Sequence, residues 1–227
     1  MGSRSGKVYV NKLSVARRQL CAAIRMFFAG EDELIIHTGA SAAYQVLIDL
    51  RAERGWEDEA AHHYHTMVFY AVRDYRRGTL PDYLANDPET MRFIRDIAGR
   101  LPITASSNFN DFTVSVSRDV VQEFRQNRTV VANFLKHADR DAKSLLSLDD
   151  VDNLNLLFQA ISAYQDLAND NLGHEGFVLY VYFNAVKGMK DGMPKKFRRY
   201  ASNLENLDPD EQLRFCSVWL RELKEAT

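Results

Sequence analysis

Apolar residues recur every three or four positions along most of this 227-residue chain, and that spacing restricts its fold more than any other feature. The clearest stripe lies near the start and consists of Leu13, Ala16, Leu20, Ile24 and Phe27. An α-helix has a period of 3.6 residues, so it places such side chains on one face. Gly30 follows as a stop signal. The spacing therefore predicts a helical chain.

The same reasoning extends to the rest of the chain. Three more helices are expected before residue 100, over 38–53, over 57–76 and from Pro88 with Asp87 as its N-cap. Capping signals at Ser147 and Asp208 introduce two later helices. In total the sequence predicts an all-α, single-domain bundle of eight or nine helices over residues 12–227. Residues 1–11 are expected to form a flexible N-terminus.

Three segments interrupt this helical pattern or resemble strands. The segment 101–111 is rich in loop-forming residues and is the best candidate for an internal boundary. The stretch 112–117 alternates as a strand does, but it has no evident pairing partner, so a short strand and an extended loop both stay open. The apolar run 177–183 fits a buried strand by itself, whereas its continuation to Val186 favours a central helix.

Composition restricts the partners of this chain. A net charge of −2 gives no overall attraction to nucleic acid or acidic membranes, so binding of either requires a local patch. The run 177–183 is much shorter than the roughly eighteen apolar residues of a membrane span. The only two cysteines, Cys21 and Cys216, lie in helical patterns, and no secretory signal is evident. We expect buried, reduced thiols in a soluble cytoplasmic protein without membrane contact.

The segment 133–141 carries the most distinctive polar motif. Asn133, His137 and Asp141 are spaced four residues apart, so a continuous helix would align them in one row, about 40° per step. Apolar neighbours place His137 at the edge of the core. A histidine oriented by a carboxylate can act as a general acid or base. Two interpretations stay open: these three residues form a catalytic set, or His137 packs at a helix boundary.

Two motifs carry a resemblance to known proteins. Ile36-His37-Thr38 precedes an alanine-rich segment, and the second motif is the segment 133–141. Together they resemble a group of bacterial helical proteins without an assigned function, over most of the chain. The Asn-x-x-x-His core is also similar to HEPN domains, helical bundles that often dimerise and in which an Arg-Asn-x-x-x-His motif cleaves RNA. This resemblance implies a homo-oligomer that binds or cleaves RNA.

One position departs from the HEPN motif. Ala132, not arginine, precedes Asn133, while Arg128 lies nine residues before His137 and Arg140 lies after it. RNA cleavage requires a histidine to move a proton and a guanidinium to hold the phosphate. An HEPN-like reaction would therefore take its arginine from elsewhere in the fold or from a second subunit.

A second candidate site lies at the predicted start of the second helix. Free backbone N–H groups at a helix N-terminus attract anions. His37, Thr38 and Ser41 are therefore candidate ligand-binding residues. Capping or packing is the alternative role for His37 and Thr38.

A third candidate is the densest basic stretch, Lys195, Lys196, Arg198 and Arg199, interleaved with Phe197 and Tyr200. Such cations can hold a phosphate backbone while an aromatic ring stacks on a base. Alternatively, the charges are simply solvated and the two rings anchor the segment in the core.

Metal and cofactor chemistry has weak support. His62, His63 and His65 are close in sequence, but on a regular helix His63 points away from His65, so the three do not meet one ion. The chain has no Gly-rich phosphate loop, Gly-x-Ser-x-Gly elbow or Cys-x-x-Cys pair. We expect no native metal and no cofactor.

These features favour a helical binding or regulatory protein whose site is the groove between His37 and the segment 133–141. Self-association is expected. An HEPN-like RNA-binding or RNA-cleaving protein that uses His137 is the alternative, and a metal-dependent helical enzyme is a third hypothesis.

Overall fold

The computed structural model describes residues 9–55, 59–112, 116–137, 139, 142–190 and 193–226. Within these ranges all regular structure is helical, which confirms the predicted all-α bundle. The α-helices are α1 (Lys12–Ala29), α2 (Glu33–Glu53), α3 (Glu59–Arg77), α4 (Asp82–Ala85), α5 (Pro88–Arg100), α6 (Arg118–Lys136), α7 (Asn153–Ala168), α8 (His174–Val186), α9 (Lys195–Glu205) and α10 (Pro209–Glu225). Short 3-10 turns occur at Phe109–Asp111 and Leu148–Asp150.

Several helix ends follow directly from local sequence signals. Gly30 ends α1 in the left-handed region at φ 69°, which glycine adopts without strain. Asp87 caps α5 by accepting a hydrogen bond from the backbone N–H of Thr90. Asp208 and Glu211 form a reciprocal capping box at the start of α10. These three predicted boundaries are confirmed.

Other predicted boundaries are wrong. The second helix begins at Glu33, five residues earlier than expected, because the carboxylate of Asp32 accepts the backbone N–H groups of Leu34 and Ile35. Ser147 caps only a short 3-10 turn, and Asp152 caps the long helix that follows it.

The run 177–183 lies within α8, so the helical interpretation of this segment is confirmed.

In the described ranges the main hydrophobic core draws on α1, α2 and α7 to α10. In it α1 packs on α2 and α7, while α9 and α10 pack on α8. Val178, Leu179 and Val181 of α8 are completely buried. Cys21 and Cys216 are buried free thiols, as expected, and burial raises the pKa of Cys216 to about 12.

A second, smaller cluster joins α3 to α5 and to the segment after it. Its buried residues in the described part of the chain are Val68, Phe69, Val72, Ala98 and Ile103. Arg76 donates to the carbonyl of Ala98 at 2.6 Å, and Arg77 donates to the carbonyl of Ala105. The segment 101–111 thus packs on α3, and a boundary there stays a prediction.

The strand expected near 112–117 falls partly on residues 113–115, which lie outside the described ranges. Phe112 has an extended backbone, and no strand is present in the ranges that are described. None of the helices there is long and apolar enough to cross a membrane.

Candidate functional site

An open groove of about 620 Å³ lies between α9 and α10. Each helix contributes residues at positions i, i+3, i+4 and i+7, which form one face of a helix. From α9 these residues are Lys196, Arg199, Tyr200 and Asn203. From α10 they are Phe215, Val218, Trp219 and Glu222. The groove is therefore built from two facing helical stripes.

Stacked aromatic rings form the floor of this groove. The rings of Tyr200 and Trp219 lie 4.7 Å apart at an interplanar angle of 16°. Phe177 of α8 meets the Trp219 ring edge-on at 5.3 Å, and this contact helps to hold the indole in place. Trp219 is 9% exposed and Tyr200 is 39% exposed. One face of the tyrosine ring is thus supported by the core while the residue stays open to solvent.

Charge is distributed unevenly around the groove. Lys196 and Arg199 contribute two positive charges from the first two turns of α9, and Glu222 contributes one negative charge from α10. The N-terminal end of a helix carries a partial positive charge that adds to these cations. The α9 side of the groove is therefore the side suited to an anion.

The predicted basic patch is thus divided by the fold. Lys196 and Arg199 line the groove, and Lys195 is exposed at the start of α9. Arg198 is half-buried and donates through Nε to the carbonyl of Met193 at 2.9 Å, so it helps to hold the entry into α9. Phe197 packs edge-on against Phe177 in the core.

Half of this groove was not predicted from the sequence. Trp219, Asn203 and Glu222 are not among the predicted ligand-binding residues. The spacing of Lys196, Arg199, Tyr200 and Asn203 on one helix face was available as a signal. The pairing of Tyr200 with Trp219 is a tertiary contact that local patterns do not specify.

His37 lies inside α2 and is only 5% exposed. Its Nδ1 is 3.2 Å from Oδ1 of Asn153, and Asn153 donates through Nδ2 to the carbonyl of Glu33 at 2.9 Å. Burial lowers the pKa of His37, the hydrogen bond to Asn153 opposes that effect, and the charge of Lys136 lowers the pKa further. α6 packs on α2 in the described part of the chain, but neither of the two grooves described there is lined by His37 or by the segment 133–141. A groove between them stays a prediction.

Thr38 and Ser41 lie beside His37 in the interior of α2. Thr38 donates its hydroxyl to the carbonyl of Leu34, and Ser41 donates to the carbonyl of Thr38. Backbone N–H groups in a helix interior are already bonded four residues back. Because α2 begins at Glu33, His37, Thr38 and Ser41 lie beyond its first turn and have no free backbone N–H groups to offer an anion.

The expected row of Asn133, His137 and Asp141 does not form on one helix. α6 ends at Lys136, and His137 is its C-cap with φ −123° and ψ 51°. Asn133 is exposed in the last turn, where its carbonyl accepts the backbone N–H of His137. Asp141 lies outside the described residues. The nearest described carboxylate contact of His137 is with Asp139, whose Oδ1 is 3.9 Å from Nδ1.

The three clustered histidines each pack against a phenylalanine. His65 is buried and stacks on Phe109 at 4.4 Å, and His62 meets the same ring edge-on. His63 lies against Phe124 on α6 at 4.8 Å. Within the described ranges no group of three or more metal-ligating side chains occurs.

The α9–α10 groove and the surroundings of His37 are thus two separate polar regions. The groove presents exposed cations and an exposed ring, whereas His37 is enclosed by α2 and α7. A function is best argued from the groove, because a ligand can reach its residues without opening the core. The chain matches no family model, no curated protein and no solved structure in the comparisons made.

Proposed function

We propose that this chain is a helical binding protein that holds single-stranded RNA in the α9–α10 groove. The observation that carries this proposal is the exposed ring of Tyr200, stacked on Trp219 and flanked by Lys196 and Arg199. Proteins bind single strands by combining cations for the phosphates with aromatic rings for the bases.

The stack supports RNA binding through its rigidity. A base that stacks on Tyr200 meets a ring already held by Trp219 and Phe177, so little side-chain freedom is lost on binding. Stacking on an aromatic ring contributes about 1–3 kcal/mol per base and accepts any base. Binding with little sequence preference is therefore expected.

The length of the groove sets the size of the ligand. Lys196 and Asn203 are seven residues apart, which corresponds to about 10 Å along a helix. This length suits one or two nucleotides. Because the chain as a whole carries a net charge of −2, attraction is confined to this patch and the affinity should fall steeply with salt.

Fluorescence anisotropy of a short, labelled single-stranded RNA tests the proposal. Tyr200→Leu keeps an apolar side chain against Trp219 but removes the stacking face, and it should weaken binding by roughly 5- to 100-fold. Arg199→Gln should lower the slope of log affinity against log salt by about 0.7, the value for one lost phosphate contact in a single strand.

The matched control is Arg95→Gln, which removes another exposed arginine, on α5. Its affinity for RNA should equal that of the unmodified protein. Absence of binding at low salt, or equal binding by Tyr200→Leu and the unmodified protein, would rule out this groove as the RNA site.

The same samples address cleavage by His137. His137 is half-exposed at the end of α6 with Asp139 beside it, a geometry open to a substrate. Electrophoresis of the incubated RNA, with His137→Ala in parallel, separates binding from reaction. Cleavage that His137→Ala abolishes would support an HEPN-like activity; intact RNA in both samples would limit the function to binding.

A further inference from the structure

A second groove, of about 460 Å³, lies between α2 and α6. The residues that line it are Gln45, Ile48, Gln122, Arg125, Gln126, Arg128 and Thr129. None of these seven described residues is acidic, and two are arginines. The groove is thus a polar, positively charged depression on a different pair of helices from the proposed RNA site.

Arg128 lies across the inner wall of this groove. Its guanidinium carbon is 5.3 Å from the centre of the Tyr44 ring, and Tyr44 is 2% exposed in the main core. The Nη1 atom of Arg128 is buried and has no hydrogen-bond partner among the described residues. One nitrogen of the guanidinium has therefore been removed from water without receiving an acceptor from the described fold, while the side chain as a whole is half-buried.

Burial of an unpaired charged donor is unfavourable, and folded proteins rarely contain one without a role. The contact with Tyr44 compensates for part of this cost through the face of the guanidinium. The N–H groups in the guanidinium plane still require an oxygen acceptor. A planar guanidinium fork matches the oxygens of a phosphate or carboxylate group.

We propose that the α2–α6 groove binds a small oxyanion, a phosphate or carboxylate group, through the guanidinium of Arg128. Gln122, Arg125 and Gln126 lie three and four residues apart on the same face of α6 and supply further polar groups to the ligand. Asp49 accepts from Nε2 of Gln45 at 2.8 Å, and Thr129 donates its hydroxyl to the carbonyl of Arg125. These two hydrogen bonds therefore hold the side chains of Gln45 and Thr129 in place along the walls of the groove.

This proposal is independent of RNA binding, because no residue of α9 or α10 takes part. Isothermal titration calorimetry with inorganic phosphate, and with succinate in a second series, tests it in chloride buffer of constant ionic strength. We expect saturable binding of at least one probe. Arg128→Gln should weaken that binding at least tenfold.

Arg118→Gln is the matched control, because it removes an exposed arginine from the first turn of the same helix. Its affinity should be unchanged. Binding of phosphate alone identifies a phosphorylated ligand, and binding of succinate alone identifies a carboxylate. The proposal is overturned if neither probe binds, or if Arg128→Gln binds as the unmodified protein does.

Arg128→Met separates ligand binding from a structural role. It keeps an apolar stem on Tyr44 and removes the unpaired donor, so its Tm in anion-free buffer should not fall. The rise in Tm that the bound anion produces in the unmodified protein should be absent. A marked fall in Tm without anion would show that the fold already satisfies the guanidinium, and it would also overturn the proposal.

Discussion

The hydrogen bonds around His37 determine which of its ring nitrogens carries a proton. Asn153 donates to the carbonyl of Glu33, so its Oδ1 is the atom that faces His37 and accepts from Nδ1–H. In the neutral ring Nε2 is then a bare acceptor, and this atom is buried without a partner among the described residues. Protonation would place a charge there, close to Lys136.

The stability of the protein should therefore decrease in weak acid. Burial lowers the pKa of His37 below its ordinary value of 6.5, so the unfolded chain binds a proton that the folded chain excludes. His37 has little effect on the free energy of unfolding well above pH 6.5, and it lowers that free energy as the pH decreases through 6.5 toward the folded pKa. One proton limits this slope to about 1.4 kcal/mol per pH unit. Urea denaturation at several pH values measures it.

His37→Gln provides the reference for that experiment, because glutamine retains a hydrogen-bonding group but does not titrate. The pH dependence of its unfolding free energy should be shallower than that of the unmodified protein. Lys136→Gln should give an intermediate slope, since it removes one charge that opposes protonation. Identical slopes for all three proteins would contradict this account of His37.

Glu175 joins three helices through one carboxylate. Its Oε1 lies 2.6 Å from Nη1 of Arg25 on α1 and 2.7 Å from Nζ of Lys224 on α10. Burial alone would raise the pKa of Glu175, but the hydrogen bonds from Lys224, its own backbone and Arg25 outweigh it and lower the pKa. Glu175→Gln should reduce the free energy of unfolding by about 2 kcal/mol, as expected for hydrogen bonds to a charged group.

Asp96→Asn serves as the control for Glu175→Gln in urea denaturation. Asp96 pairs with Arg100 on the surface of α5, where the side chains are 52% and 74% exposed. Such exposed pairs contribute about 0.3–0.5 kcal/mol, so this substitution should have little effect. Equal effects of the two substitutions would mean that Glu175 adds no more than a surface ion pair.

At the scale of single elements, the capping box of α10 controls the position of half the proposed RNA groove. Asp208 accepts the backbone N–H of Glu211 at 2.9 Å, and Glu211 accepts the backbone N–H of Asp208. Asp208→Ala should reduce the free energy of unfolding by about 1 kcal/mol. Asp208→Asn, which keeps the accepting oxygen, should lose less. Thermal denaturation followed by circular dichroism distinguishes these outcomes.

Helix existence was predictable from the sequence, whereas several boundaries were not. Gly30 and Asp208 are strong local signals and gave correct ends. The second helix begins at Glu33, before the predicted range 38–53, because Asp32 is its N-cap. No glycine or proline follows Lys136, so nothing local indicated that α6 ends there. The expectation that one helix aligns Asn133, His137 and Asp141 is wrong for that reason, and a catalytic role of these residues stays a prediction.

The proposed RNA site was only partly predictable for a different physical reason. The cations and rings of α9 are visible as a local pattern in the sequence. The stacked floor of the groove also requires Trp219, which follows Tyr200 by 19 positions in the sequence. The two rings meet only when α9 and α10 are packed on α8. A contact of this kind depends on tertiary packing, which periodicity does not specify.

At the scale of the whole molecule, two hydrophobic clusters differ greatly in size. The main core draws on α1, α2 and α7 to α10, whereas the smaller cluster has five buried residues in the described part of the chain. α6 packs on both α2 and α3 and therefore links the two. Regions with few buried apolar contacts open at lower free energy than the main core.

Hydrogen exchange should therefore be faster for the amides of α3 and α5 than for those of α1 and α7. Phe69→Ala removes a fully buried ring from the smaller cluster, which costs about 3–5 kcal/mol in a packed core. We expect it to abolish the protection of α3 and α5 and to leave α1 and α7 protected. Leu179→Ala, a fully buried site in the main core, should lower protection throughout. Hydrogen exchange measured by mass spectrometry tests both variants. An equal loss of protection in all helices of Phe69→Ala would contradict this expectation. It would instead indicate one cooperative unit, as expected for a single domain over residues 12–227.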